Sequence, residues 1–193
     1  EMIATQAVRL SQITEEILLT TRLDRDEVTV QHEPVDVGVA IESAVQAMRS
    51  HLPEDMEMKV DIAPDVGRAA GDSDRIQQVL LNLIDNAAKH GRSPVRISAG
   101  TSNGLVSIAV SDSGPGIAPG ERERIFEKFY RAGPQLTRLS GGTGLGLYIS
   151  RELTRRMGGQ LRVESEPGEG ATFVVELSSQ SGSATTPSWV AMA

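Results

Sequence analysis

Two side-chain amides, Asn82 and Asn86, are the first candidates for chemistry because they lie one helical turn apart in the stretch 74–90. Gln78 and Lys89 fall on the same stripe of the predicted helix. A solvated helix face usually carries Glu and Lys, whereas Asn is a poor helix former. The stripe therefore indicates amides that contact a ligand, although an ordinary polar surface is the alternative for this stretch taken alone.

The opposite face of this helix is apolar and can hold the amides against a core. Asp72 is placed to cap the start of the helix, and Gly91 is placed to end it. The apolar residues recur at the three- and four-residue spacing of a half-buried helix, at Ile76, Val79, Leu80, Leu83, Ile84 and Ala87.

A second candidate is the segment 112–117, Asp-Ser-Gly-Pro-Gly-Ile, which directly follows a predicted strand. On its own the segment is typical of a turn. Asp112 at a strand end could also accept a hydrogen bond from a ligand amine, while the glycines would let a flat ring approach the backbone.

A third candidate is the segment 141–147, Gly-Gly-Thr-Gly-Leu-Gly-Leu, which opens a predicted helix. Backbone N–H groups at such a start can point at an anion, and the helix dipole favours phosphate there. The segment matches neither the P-loop nor the dinucleotide-binding pattern. Four glycines in six residues exceed what a simple loop-to-helix junction requires.

Aromatic residues are concentrated in the segment 125–131, Ile-Phe-Glu-Lys-Phe-Tyr-Arg. Three of the five Phe and Tyr residues of the chain lie here. The segment leads into the glycine-rich loop 133–142, so we expect it to anchor a lid over a ligand. A small apolar staple with an exposed face is the alternative.

Composition limits the function classes. The 193 residues are 39% hydrophobic and 23% charged, as in an ordinary globular protein. A formal charge of -7, without a Lys/Arg run, argues against nucleic-acid binding. The absence of cysteine excludes disulfides and thiolate metal sites, and three scattered histidines do not suggest a metal centre. No apolar stretch approaches membrane-spanning length.

Four parts are predicted along the chain. An amphipathic helix within 1–27 carries Ile3, Leu10 and Ile17 at seven-residue spacing and needs a partner helix. A linker over 28–36 contains Pro34, the folded domain covers 37–178, and a flexible tail rich in Ser, Gly and Thr covers 179–193. Because the chain starts inside a helix without Met, we expect a fragment of a longer protein, located in the cytoplasm.

Alternating elements predict the fold class. Helices are predicted over 37–49, 74–90 and 145–157, with a short charged helix or turn over 121–130. Strands are predicted over 56–62 and 68–70 and in two hairpins, 95–99 with 105–110 and 161–165 with 172–177. This order indicates an α/β two-layer sandwich, a mixed sheet with helices on one face.

In combination, the motifs resemble the ATP-binding catalytic domain of sensor histidine kinases, the Bergerat fold. The resemblance covers 37–177, and 1–25 resembles the second helix of the family's dimerisation hairpin. It implies a protein histidine kinase that uses ATP and Mg²⁺. The motifs that carry it, in order, are Asn82 with Asn86, Asp112 with Gly116, Phe126 with Phe129, and Gly142, Gly144 and Gly146.

The resemblance also implies residue roles. Asp112 would bind the adenine amine with Gly116 beside the ring. Asn86 would coordinate Mg²⁺, and Asn82 and Lys89 would lie near the phosphates; these three are the catalytic candidates. Residues 142–147 would wrap the triphosphate, and 132–142 would form the ATP lid. The remaining implied nucleotide contacts are His90, Gly114, Ile117, Phe126, Phe129, Tyr130, Arg131, Gly142, Thr143, Gly144, Leu145, Gly146 and Leu147.

Two positions depart from the family pattern. His90 stands where many relatives have Tyr near the adenine. Ala171, followed by Thr172, stands where nucleotide-binding relatives often place a hydroxyl, so we expect no direct hydroxyl contact to Asp112.

The residue at position 82 distinguishes a kinase from an enzyme that hydrolyses ATP. The fold also resembles that of DNA gyrase B, MutL and a heat-shock chaperone, which carry a general-base Glu one turn before the metal-binding Asn. This chain has Asn82 there, and an amide cannot take a proton from water. Two alternatives stay open: a regulatory module that only senses ATP, and a serine kinase of the anti-sigma-factor type.

The phosphoacceptor of the family lies on the first dimerisation helix, in a pattern like Ser-His-Glu-Leu-Arg-Thr-Pro. Neither His32, in the linker, nor His51 is followed by Leu-Arg-Thr-Pro, so we expect no phosphorylation of the isolated chain by itself. The expected partners are the protein's own dimerisation and phosphoacceptor domain, a second copy in a homodimer, and a response regulator. Whether the parent protein is anchored in the cell membrane stays open.

Overall fold

A computed structural model of the chain describes residues 2–49, 52, 56–132 and 142–180. The predicted central helix forms as α3, Ser73–His90. The Asp72 side chain caps it by accepting hydrogen bonds from the backbone N–H groups of Asp74 and Arg75, at 3.1 and 3.2 Å. The Gly91 N–H donates to the Ala87 carbonyl oxygen at 2.9 Å, where the helix ends. All six residues of the predicted apolar face are buried.

Seven strands form one sheet in the described part of the chain. The order is β1-β3-β7-β5-β4-β2, and β6 pairs with β7 beside β3. Only the β2–β4 pair is parallel among the described pairs, so the sheet is mixed. The strands are β1 Glu33–Asp36, β2 Met58–Ile62, β3 Arg68–Gly71, β4 Val95–Ser102, β5 Leu105–Asp112, β6 Gln160–Ser165 and β7 Ala171–Gln180.

One face of the sheet packs against helices α2, Val37–Met48, α3 and α4, Gly146–Arg156. Along β5, Val106, Ile108 and Val110 are buried, whereas the alternate residues Ser107 and Ala109 are partly exposed. This period-two pattern places the core between the sheet and the helix layer. The predicted α/β two-layer sandwich is confirmed.

Both predicted hairpins form, and both are longer than predicted. The turn between β4 and β5 uses Asn103 and Gly104, with φ of 52° and 76°. This left-handed pair matches the turn that favours a two-residue hairpin. The stretch 121–130, predicted as a short helix or turn, starts at the last residue of one 3-10 helix, Pro119–Glu121, and contains a second, Arg124–Phe126.

The residues 33–36, which the sequence placed in the linker, form β1. They pair antiparallel with β3, with Val35 opposite Ala69, and Val35 is buried. Pro34 is tolerated because β1 is an edge strand. At the other end, Ser179 and Gln180 of the predicted tail extend β7 and pair with β3. Residues 181–193, the rest of that tail, lie outside the described residues.

The first helix, α1, covers Met2–Asp24. Its C-terminal end packs on α4, where Leu23 is buried, whereas Leu10 and Ile17 of the seven-residue pattern are exposed. Within the described stretches, no helix combines the length and apolar character needed to cross a bilayer.

Candidate nucleotide site

A cavity of about 560 Å³ opens beside α3, bounded by the end of β5, the start of β7 and the start of α4. It brings together four separate motifs of the sequence. The candidate residues that line it are Asn82, Asn86, Lys89, His90, Asp112, Gly116, Ile117, Tyr130, Arg131, Gly142, Thr143, Gly144, Gly146 and Leu147.

The two asparagines face the cavity from α3 but have different surroundings. The Asn82 amide Nδ2 donates to the Gly146 carbonyl oxygen and to Ser150 Oγ, both at 3.3 Å. Asn82 therefore ties the central helix to the first turn of α4. Asn86 lines the cavity one turn further on.

Lys89, at the end of the same stripe, forms an ion pair with Asp85. Its Nζ lies 2.6 Å from Asp85 Oδ2, and both side chains are about half exposed, at 51% and 44%. Asp85 also lines the cavity. The amine is thus held at the cavity rim by a carboxylate on its own helix.

Asp112 lies at the end of β5 and is half-buried. Burial raises the pKa of its carboxyl group, while hydrogen bonds from the backbone amides of Gly114 and Ala171 partly offset this shift. The Gly114 N–H donates to Asp112 Oδ1 at 2.7 Å. The carboxyl group keeps acceptor capacity for a ligand amine.

The backbone conformation at position 116 requires a glycine. Gly116 has φ of 71°, and a Cβ there would lie 2.0 Å from the Glu166 carbonyl oxygen. The segment is held against the β6–β7 turn, because the Gly168 N–H donates to the Pro115 carbonyl oxygen and the Ile117 N–H to Ser165 Oγ. One wall of the cavity is therefore bare, fixed backbone.

His90 ends α3 and lines the cavity with Arg131. Burial lowers the pKa of the imidazole, and the positive charges of Arg131 and Lys89 lower it further. The lowered pKa favours the neutral imidazole at pH 7, a form suited to stack on another flat ring.

The hydroxyl of Thr172 does not turn toward Asp112. It donates to Ser111 Oγ at 2.9 Å instead. Asp112 faces Ala171 across the β5–β7 pair.

The glycine-rich segment before α4 is pinned to the aromatic segment. The Phe129 N–H donates to the Gly144 carbonyl oxygen at 3.0 Å, and Gly144 has φ of 72°. A Cβ on Gly144 would lie 2.9 Å from the Phe129 carbonyl carbon. The two ends of the predicted lid are thus clamped together, while its residues 133–141 lie outside the described residues.

Four candidates do not line the cavity. Phe126 is in the core, 2% exposed, with its ring edge-on to Phe173 at 6.4 Å. Phe129 is 65% exposed, and Leu145 is fully buried. Gly114 lies behind Asp112, where a Cβ would meet the carboxylate at 2.6 Å.

The cavity also contains residues that the sequence reasoning missed. The most unexpected is Glu16, which reaches it from α1. No local pattern marks this residue, because its approach depends on how α1 packs against α4. Asp85, Glu121 and Phe173 also line the cavity without having been predicted as contacts. The remaining lining residues belong to segments or positions that the sequence analysis singled out without assigning them a contact, namely Pro115, Ile125, Ala132 and Ala171.

Chemically, the cavity is asymmetric. A half-buried carboxyl group and bare backbone suit a flat ring that bears an amine. Two amides, an amine and the glycine-rich start of a helix suit an anion. These are complementary to the two ends of a nucleotide.

Comparison with known proteins tests this interpretation. Residues 71–181 match the family model for histidine kinase-, DNA gyrase B-, and HSP90-like ATPases. The chain belongs to this family. The match contains every lining residue of the cavity except Glu16.

Similar curated proteins include sensor histidine kinases. YkoH of Bacillus subtilis is 34% identical over 182 residues, which are 94% of this chain and 39% of YkoH. MtrB of Mycobacterium tuberculosis H37Rv is 36% identical over 180 residues, 92% of this chain and 32% of MtrB. The chain thus spans about a third to two fifths of the length of these relatives.

Two solved structures have a fold similar to that of this chain. Full-length ShkA in complex with AMPPNP has a TM-score of 0.78 at 30% identity, with 89% of this chain and 36% of ShkA covered. The mycobacterial sensor histidine kinase MprB has a TM-score of 0.64 at 31% identity, with 77% of this chain and 98% of that chain covered. The predicted resemblance to histidine kinase catalytic domains is confirmed.

Proposed function

We propose that this chain binds Mg-ATP and transfers the γ-phosphate to a histidine of its own dimerisation domain, from which it passes to an aspartate of a response regulator. The observation that carries the proposal is the single cavity that joins the Asp112 wall to the amide face of α3 and the start of α4. Family membership and the ATP-analogue complex of ShkA support it.

In this proposal one end of the cavity binds the adenine and the other end binds the phosphates. Asp112 accepts a hydrogen bond from the adenine amine, and Gly116 lets the ring lie against the backbone. His90, whose lowered pKa favours the neutral imidazole, stacks near the ring. Gly142, Gly144 and Gly146 present backbone N–H groups to the phosphates at the N-terminus of α4.

The residues present fit magnesium that is shared with the phosphates. Among the described residues, no group of three or more His, Asp or Glu side chains could hold a metal ion alone. Mg²⁺ is usually held by one or two protein oxygens together with substrate phosphates. The Asn86 side-chain oxygen would hold it here, and when bound the ion neutralises charge on the transferring phosphoryl group.

Asn82 supports transfer of the γ-phosphate to an acceptor rather than hydrolysis of ATP. Its Nδ2 is engaged with Gly146 and Ser150, and an amide cannot act as the general base that activates water. A neutral histidine nitrogen is already nucleophilic, so transfer to it requires positioning more than activation.

The exposed apolar residues of α1 support the proposed partners. Leu10, Ile17 and Leu18 are 65%, 46% and 54% exposed. A helix cannot bury such a stripe alone, so we assign it to a helical bundle formed with the first dimerisation helix and a second copy.

The test is calorimetric titration of the chain with Mg-ADP. Asn86→Ala should lose the part of the affinity that depends on Mg²⁺, about tenfold, whereas metal-free ADP should bind both proteins alike. Gln78→Ala is the matched control, because it removes an amide from the same helix outside the cavity lining. Equal Mg-ADP affinities of Asn86→Ala and the wild type would contradict the role of Asn86.

A second experiment separates a kinase from an ATP sensor. Phosphotransfer from labelled ATP to a histidine-bearing dimerisation hairpin, supplied as a separate protein, supports the kinase. Binding of ATP without transfer supports a sensor, and phosphoserine on a partner supports the serine-kinase alternative.

A further inference from the structure

A side chain from outside the family match reaches the anion end of the cavity. Glu16 of α1 is half-buried, lines the cavity and accepts a hydrogen bond from the Thr143 hydroxyl. The hydroxyl of Thr143 has one proton, which this contact uses. The contact joins α1 directly to the glycine-rich segment.

The carboxylate lies where an anion is favoured. Thr143 Oγ1 also accepts a hydrogen bond from the Leu145 N–H at 3.1 Å, immediately before the first residue of α4. The N-terminus of this 11-residue helix attracts negative charge through its dipole and its free N–H groups. In this structure the carboxylate of Glu16 supplies that charge.

Contacts further along α1 hold Glu16 in place. Asp24 accepts a hydrogen bond from the Tyr148 hydroxyl at 2.8 Å and forms an ion pair with Lys128. The Arg156 guanidinium donates to the Leu23 and Val28 carbonyl oxygens, at 2.7 and 2.9 Å. These contacts fix the C-terminal end of α1, and the residues that follow it, against α4, which bounds one end of the cavity.

We propose that Glu16 is a specificity-determining residue of the nucleotide site, an internal anion that competes with the terminal phosphate of ATP while α1 is docked. The proposal rests on the proposed function, because it deepens the account of that same site. ADP lacks the γ-phosphate and should compete less with the Glu16 carboxylate. Adenosine carries no phosphate and should not compete with it. The docked arrangement therefore favours the diphosphate over the triphosphate, and ATP binds fully only when Glu16 leaves the segment.

The test is the affinity of the whole chain for Mg-ATP, Mg-ADP and adenosine, measured by calorimetry for the wild type and Glu16→Gln. Gln keeps an acceptor for the Thr143 hydroxyl and removes the charge. We expect Mg-ATP to bind about three- to tenfold more tightly to the variant, Mg-ADP to gain less and adenosine to be unchanged. The gain should shrink as salt is raised, since salt screens charge repulsion.

Glu15→Gln is the matched control, because it makes the same change in net charge at an exposed neighbour that does not line the cavity. An equal gain in both variants, an unchanged Mg-ATP affinity in Glu16→Gln, or a weaker one would overturn the role of Glu16. Wild-type protein that binds neither Mg-ATP nor Mg-ADP would overturn the proposed function itself. A wild type that binds both nucleotides, with Glu16→Gln indistinguishable from it, would overturn this inference alone.

Discussion

Lys89 and Asp85 hold each other at the rim of the cavity, with Nζ 2.6 Å from Oδ2 across one turn of α3. The pair is half exposed, so its contribution to folding is small, about 0.3–0.5 kcal/mol. Its effect on an anionic ligand is larger, because the carboxylate both occupies the amine and repels phosphate.

Asp85→Asn should therefore strengthen Mg-ADP binding, by about three- to tenfold, with little change in the free energy of unfolding. Calorimetry and urea denaturation measure the two quantities. Asp61→Asn, at an exposed carboxylate of β2 outside the cavity lining, should change neither. Weaker nucleotide binding in Asp85→Asn would mean that the carboxylate itself takes part in binding.

The carboxyl group of Asp112 gives opposite predictions for stability and binding. Burial raises the pKa of this group in the folded state, so ionisation lowers wild-type stability as the pH rises through that raised pKa. Asp112→Asn does not ionise and its Oδ1 can still accept from Gly114. The stability of the variant relative to wild type should therefore increase as the pH rises from the ordinary carboxyl pKa to the raised pKa of Asp112, and should level off above the raised pKa.

Nucleotide affinity should fall in the same Asp112→Asn variant, by about ten- to a hundredfold at neutral pH, since a charged acceptor for the adenine amine is lost. Thermal denaturation across pH and titration with Mg-ADP give both readouts from one protein. A stability difference between variant and wild type that does not change with pH, or Mg-ADP binding equal to that of the wild type, would refute this assignment.

Two neighbouring arginines on α4 provide a matched pair for the docking of α1. The Arg156 side chain is 10% exposed and bonds to the Leu23 and Val28 carbonyl oxygens, whereas that of Arg155 is 63% exposed and pairs with Glu152. Arg156→Met should lower the free energy of unfolding by about 1–3 kcal/mol, because buried carbonyls lose charged donors. Arg155→Met should change it by less than about 0.5 kcal/mol in the same urea titration. Equal losses would show that α1 is not held through Arg156.

Two glycines of the segment before α4 test how much the backbone contact between Gly144 and Phe129 contributes to stability. Gly144→Ala places a Cβ against the Phe129 backbone at φ of 72°, so we expect a loss of about 1–3 kcal/mol in stability. A Cβ at Gly142 would meet no atom within 4 Å in the described part of the chain, so Gly142→Ala should keep the wild-type melting temperature. A similar melting temperature for both variants would mean that the clamp to Phe129 contributes little.

Local signals were enough to predict α3 and much of its cavity. The caps at Asp72 and Gly91, the apolar spacing and the two amides are all encoded within 20 consecutive residues, so no distant contact is needed to predict them. The glycines 142, 144 and 146 were predicted for the same reason.

Features that depend on distant partners could not be predicted. The sequence Glu33-Pro34-Val35-Asp36 resembles a linker and becomes β1 only because β3 is available to pair with it. Phe126 has the sequence position of a ligand contact, but packing against Phe173 places it in the core. Glu16 reaches the cavity through the docking of α1, which no spacing along the chain encodes.

The two hydrogen bonds that Asn82 donates to Gly146 and Ser150 have a consequence for re-engineering the site. A glutamate at this position offers only acceptors, so it could not hold the Gly146 carbonyl, which is itself an acceptor. Installing a water-activating base would thus release the first turn of α4 at the same time. Conversion of this scaffold into a hydrolase requires a compensating donor near Gly146 as well as the new carboxylate.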